Sequence, residues 1–143
     1  TEEMTIGGQL VMTTAGGADD IMLTRMDIKG PVSIRTGNGA DKLTIQGTSS
    51  FNSGVKIDQG AGDDSMSLGT AIDLVSFKKA VSIRQGAGND KMNVAASTAL
   101  TGLTFGVAGS RIDGGTGTDT LTESIVQVGM GANVRFLNYE NQG

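Results

Sequence analysis

The chain has no cysteine, no histidine and no tryptophan, and only one proline and one tyrosine. Without cysteine there is no disulfide, no thiol nucleophile and no iron–sulfur ligation. Without histidine the commonest general base and the commonest zinc ligand are gone. A single tyrosine and no tryptophan remove the stacking platforms that hold single-stranded nucleic acids and many sugars. A net charge of −4 and an isoelectric point near 4.6 argue further against a nucleic-acid partner. No apolar run approaches the ~20 residues of a membrane-spanning helix. The chain opens at Thr1 with acidic residues rather than a basic and apolar leader, so it reads as a mature protein or an excised domain.

Glycine is abundant instead. It supplies 23 of the 143 residues, against a usual share of about 7%. Hydrophobic residues reach 37% and aromatic ones only 3%, so any core must be aliphatic. The length fits one domain, residues 1–143. Within it five segments recur: AGGAD, GNGAD, GAGDD, GAGND and GTGTD. They end at Asp19, Asp41, Asp64, Asp90 and Asp119, at spacings of 22, 23, 26 and 29 residues. That is the period of a solenoid coil rather than of a helical bundle.

The flanks repeat with these segments. Seven residues before each aspartate stands Met12, Ile34, Ile57, Ile83 or Ile112. Two before those stands Leu10, Val32, Val55, Val81 or Ser110. Four earlier again come Ile6, Ile28, Phe51 and Phe77, with Phe105 one place out of register. After the aspartates come Ile21, Leu43, Met66, Met92 and Leu121, then Leu23, Ile45, Leu68, Val94 and Glu123. Apolar residues at period two mean strands with one buried face. Such strands, with no helical pattern between them, pair with their own copies in the next coil. The expected fold is therefore all-β: a parallel β-helix of about five coils of 22–29 residues, each with a GxGxD corner. Each coil stacks ~4.8 Å above the last, and the crossover should be right-handed. The competing arrangement is an antiparallel sandwich with glycine turns, which does not require matched columns.

Coils lengthen between the second apolar residue after the aspartate and the phenylalanine column. The added residues include Ile72, Leu74 and Val75, then Leu100 and Leu103, then Ile125, Val126, Val128 and Met130. Apolar insertions predict a cross-section that widens toward the C-terminus, with surface loops as the alternative. The last such gap runs from Glu123 to Phe136. Glu123 stands in an otherwise apolar column and reads as a cap over the last coil. Met4 and Ile6 match Met26 and Ile28 without any polar break, so the first coil's edge should stack on a neighbouring repeat or self-associate.

Stacking turns columns into spatial ladders. One column reads Thr13, Arg35, Asp58, Arg84, Asp113, alternating in sign over four coils. It can be a catalytic or binding stripe or a ladder that fixes register, and the latter is expected, because alternation penalises a slipped pairing. The column Asp19, Asp41, Asp64, Asp90 and Asp119 puts like charges at one corner, joined by Asp20 and Asp63. Two compensations are open. Calcium can bridge carboxylates and glycine-exposed carbonyls, or each aspartate can accept amide hydrogen bonds within its own turn. Lys42 and Lys91 stand beside two of the aspartates.

The segment GGTGTDTLT, Gly114 to Thr122, resembles the nonapeptide GGxGxDxUx of RTX, or hemolysin-type calcium-binding, proteins. GNGADKLTI, GAGDDSMSL and GAGNDKMNV match its GxGxDxUx part. Phe136-Leu137-Asn138-Tyr139-Glu140-Asn141 is similar to a phrase that often precedes such repeats. The resemblance implies a secreted β-roll with calcium held by Asp41, Asp64, Asp90 and Asp119 and by carbonyls near Gly37, Gly60, Gly86 and Gly115. This chain departs from that pattern in having one such turn per 22–29 residues and Thr36, Gln59 and Gln85 where the family has its leading glycine. The expected function is a non-catalytic structural or adhesive module of a secreted or cell-surface bacterial protein, with calcium as the candidate cofactor. Its partners would be neighbouring repeats, or a surface glycan or protein. The alternative is a carbohydrate-active β-helix, similar to polysaccharide lyases, with Arg35, Lys56 or Arg84 as base.

Overall fold

A computed structural model describes residues 2–70, 72–94, 103–123 and 134–142, with the side chains of Glu123 and Gln142 left aside. Among these residues there is no helix, and every strand pairing is parallel. Three sheets run the length of the molecule. The first stacks Met4–Ile6, Met26–Ile28, Ser49–Phe51, Val75–Phe77 and Leu103–Phe105. The second stacks Leu10–Thr13, Val32–Asn38, Val55–Ala61, Val81–Ala87, Ser110–Thr116 and Val134–Leu137. The third stacks Asp20–Thr24, Lys42–Gln46, Ser65–Leu68, Lys91–Val94, Thr120–Glu123 and Asn141–Gln142. The chain is a parallel β-solenoid, and the antiparallel sandwich is excluded.

The register follows the sequence columns. Ile34 lies between Met12 and Ile57, and Ile83 between Ile57 and Ile112. Leu43 lies between Ile21 and Met66, and Met92 between Met66 and Leu121. These residues alternate with outward polar ones, so each strand contributes one side to a shared aliphatic interior. Each fully buried side chain of this size contributes about 1.5–3 kcal/mol. Phe51, Phe77 and Phe105 form a continuous stack, with ring centroids 4.9 and 5.3 Å apart. Phe105 is in register with Phe77, not displaced as its spacing predicts. The turn after it takes up the extra residue: Gly106–Gly109 replaces the shorter Lys78–Ala80, and Gly109 has a positive φ of 93°.

Two expectations change. Phe136, read as part of the phenylalanine column, pairs with Ile112 in the second sheet and opens a sixth coil beyond the five counted. Val75 and Leu103, read as inserted residues, are first-sheet strand residues paired with each other. The rest of the insertion in the third coil, described for Gly69, Thr70 and 72–74, leaves all three sheets in register. It carries Ile72 into solvent, where it is 82% exposed. There the coil lengthens as an external loop. Leu100, Ile125, Val126, Val128 and Met130 lie outside the described residues.

The middle of the phenylalanine stack has a ring on both sides and no exposure to solvent. Phe77→Ala should therefore cost about 3–5 kcal/mol in denaturant unfolding. Phe77→Leu, which keeps most of the volume, should cost less than half of that.

Candidate functional site

The corner between the second and third sheets begins with the GxG of each repeat. Gly60 has φ +106° and Gly62 φ +138°. A Cβ on Gly60 would lie 1.8 Å from the carbonyl oxygen of Gly37 one coil below, and one on Gly62 would lie 2.1 Å from that of Gly39. No other residue type fits both the backbone angle and the approach. The two glycines let the chain turn tightly enough to send the following aspartate inward.

There the aspartates form a ladder. Asp41, Asp64, Asp90 and Asp119 are at most 1% exposed. The amide of Asp19 donates to Oδ1 of Asp41 at 2.9 Å, that of Asp41 to Asp64 at 2.8 Å, that of Asp64 to Asp90 at 2.8 Å, and that of Asp90 to Asp119 at 2.9 Å. The carboxylates are thus met not by amides of their own turns, as one expectation had it, but by the amide of the preceding coil. Asp119 finds the last acceptor in Oε2 of Glu140, at 2.7 Å. A second ladder runs beside it on the outside in the opposite sense: Asn89 donates its amide to Asp63, and Thr118 to the Asn89 side chain.

One oxygen per corner has no such bond. Oδ2 of Asp19, Asp41, Asp64, Asp90 and Asp119 is buried without a hydrogen-bond partner. Loss of solvation raises the pKa of Asp64 and of Asp90 to about 6, against the ordinary 3.8, and neighbouring carboxylates push the same way. Asp119 is raised for the same first reason, with Glu140 adding to it. Lys42 and Lys91 do not relieve the column. They stand exposed on the third sheet, where Lys42 pairs with Asp20 at 3.2 Å.

Thr36, Gln59 and Gln85 also point inward and are fully buried. Each glutamine spans its own corner: Gln59 donates to the Ser65 carbonyl at 3.4 Å and Gln85 to that of Lys91 at 3.0 Å. Gln85 also donates to Gln59 and accepts from the Tyr139 hydroxyl at 2.7 Å. Burial raises the Tyr139 pKa, with Asp119 adding to it, so the hydroxyl stays a donor. Gly114 occupies the same column, and a Cβ there would meet Asp119 Oδ2 at 2.7 Å and the Asn138 carbonyl at 2.5 Å. The leading position of the corner is thus filled by a polar side chain in the first four coils, half-buried as Thr14 in the first and fully buried in the next three, and left small in the fifth.

No family model, curated protein or solved structure matches the chain.

The expected charge column is in register. Arg35 lies opposite Asp58, Asp58 opposite Arg84, and Arg84 opposite Asp113. Among the described residues Asp113 is nonetheless paired with Arg111, two places back on its own strand, and Asn138 donates to it at 2.6 Å. Arg35, Asp58 and Arg84 share a column without closing ion pairs with one another. Sequence columns located the aspartates. They missed Glu140, whose position 21 residues after Asp119 is the available signal, and the glutamines, which looked only like departures from a motif.

In the unfolded chain Asp64 and Asp90 regain the ordinary carboxyl value, so the fold binds their protons more tightly. That contribution is complete below about pH 4 and is lost as pH rises through about 6. In chelator, the melting temperature should fall by several degrees between pH 4.5 and 7.5. The Asp64→Asn, Asp90→Asn double variant should remove most of that fall, as followed by circular dichroism.

Proposed function

We propose that the chain is a non-catalytic structural and adhesive β-solenoid module of a secreted or cell-surface protein, with its corner column neutralised by calcium. The observation that carries this reading is the repeated half-satisfied carboxylate. Each corner uses Oδ1 to hold the neighbouring coil and leaves Oδ2 buried with no partner. A buried charge of that kind requires neutralisation. The same chemistry recurs in every coil, whereas a catalytic centre gathers unlike groups at one place. This regularity supports a load shared along the axis.

The donor chemistry fits calcium in kind, since both carboxylate and carbonyl are hard oxygen ligands. Among the described residues no three acidic side chains converge on one point. The ion would therefore be held by Oδ2 atoms of Asp41, Asp64, Asp90 and Asp119 together with backbone carbonyls of the Gly37, Gly60, Gly86 and Gly115 corners. When bound it supplies charge neutralisation between coils and no chemistry beyond that. Sites so poor in carboxylate fill at the millimolar calcium found outside cells, in keeping with the secreted location implied by the RTX-like corners. The edge of the first coil, where Met4 is 60% exposed, is the place for a neighbouring repeat.

The test is a melting curve at neutral pH with chelator and with millimolar calcium. Calcium should raise the melting temperature in a concentration-dependent way, and magnesium should substitute poorly. Asp64→Asn should reduce the calcium response, and in chelator it should equal or exceed the parent in stability. A melting temperature indifferent to both chelator and calcium would leave these corners as turn formers and remove calcium from the reading.

A further inference from the structure

The five aspartates that stand in the interior column change the charge of the rest of the molecule. The chain has 15 acidic and 11 basic residues. With those five withdrawn, ten acids face eleven cations, so the acidity of the composition is not that of the surface. The cations are also unevenly placed. Residues that point outward from the second sheet include Arg35, Lys56, Arg84, Arg111 and Arg135, all exposed. The acids on that face are Asp58, which is half-buried, and Asp113, which is buried and held by Arg111 and Asn138.

The order of these cations follows the coils. Arg35 belongs to the second, Lys56 to the third, Arg84 to the fourth, Arg111 to the fifth and Arg135 to the sixth. The strand pairings set Lys56 opposite Ser33 and Ser82, Arg111 opposite Ser82, and Arg135 opposite Arg111. The result is one cation per coil, staggered between two adjacent columns, over about 19 Å of the axis at ~4.8 Å per coil. Arg111 and Arg135 are like charges directly opposite, and of the two Arg111 has the Asp113 carboxylate against it. Two open clefts adjoin the track and share Ser82 and Arg111. One, of about 450 Å³, includes Arg84 and Thr116. The other, of about 570 Å³, includes Ser33 and Lys56.

We propose that this face binds an acidic polysaccharide, laid along the solenoid axis with its carboxylates or sulfates against the five cations. A linear track with one charge per coil fits a periodic, extended polyanion better than a globular partner. Ser33, Ser82 and Thr116, which lie among the cations, supply the short hydroxyls that pair with sugar hydroxyls. Nucleic acid fits less well. Phe51, Phe77, Phe105 and Tyr139 are buried, and Phe136 packs against the core, so no ring is offered for a base or a sugar face to stack on, and only charge and hydroxyl contacts are left to hold the polymer. This gives the adhesive module its partner and rests on that reading.

The test is calorimetric titration of the full chain with polygalacturonate and with dextran sulfate, against neutral dextran and a DNA duplex. Both acidic polymers should bind, more weakly as salt rises, and dextran should not. The variant R35Q/K56Q/R84Q/R135Q keeps the Arg111–Asp113 pair and should weaken binding by about tenfold or more, while circular dichroism shows the same β-content and a cooperative melt. K29Q/K78Q/K79Q, which removes three cations elsewhere, should bind like the parent. Equal losses in the two variants, no binding at low salt, or tighter binding of the duplex would each overturn the assignment. Shortening of the bound polymer would leave the binding face standing and overturn the non-catalytic reading instead.

Discussion

A carboxylate that reaches out of its own turn to take the backbone amide of the coil before it is the contact on which this fold depends. It needs a chain that turns sharply enough to aim the aspartate inward, which only the two corner glycines permit. It also needs coils in register at the corner, because an amide and an oxygen 2.8 Å apart tolerate no slip. Once that is set, Ile34, Ile57 and Ile83 fall into line on one side of the corner, and Leu43, Met66 and Met92 on the other. The same contact creates the electrostatic difficulty of the molecule. It brings carboxylates together and leaves one oxygen of each buried without a partner, so that Asp64 and Asp90 hold their protons more tightly in the fold than in the open chain.

Much of this was legible in the sequence, because in a solenoid the repeat is the structure. Period-two apolar positions at constant offsets from Asp41, Asp64 and Asp90 determine which residues pair across coils, with no knowledge of long-range contacts. The reading failed where offsets drift. Phe105 seemed displaced because an offset counted in residues cannot see a turn absorb one more. Phe136 was assigned by residue type to the wrong column, because it stands four residues before Glu140 where Ile112 stands seven before Asp119, so the constant offset gives no cue. The direction of the aspartate hydrogen bonds was not legible at all. Composition and spacing say that the carboxylates stack, not which amide each one meets.

Placing charge inside also separates two roles that the sequence mixes. Interior acids hold coils together, while most of the cations remain outside and one sheet collects five of them. An inference from net charge alone treats both sets as surface and misses the face they leave. On that face Arg35 and Arg84 flank Asp58 in one column, and Lys56, Arg111 and Arg135 in the next column tip the balance to positive.

The ladder of carboxylates also has a direction in time. The donor at each corner belongs to the earlier coil and the acceptor to the later one. A chain made from its amino end therefore presents, at every stage of synthesis, a newest corner whose amide awaits an oxygen not yet made. Each added coil completes its predecessor and opens the same need in itself. Glu140 ends the sequence of debts: its carboxylate answers Asp119, and its own amide turns back to the Asp119 carbonyl instead of forward.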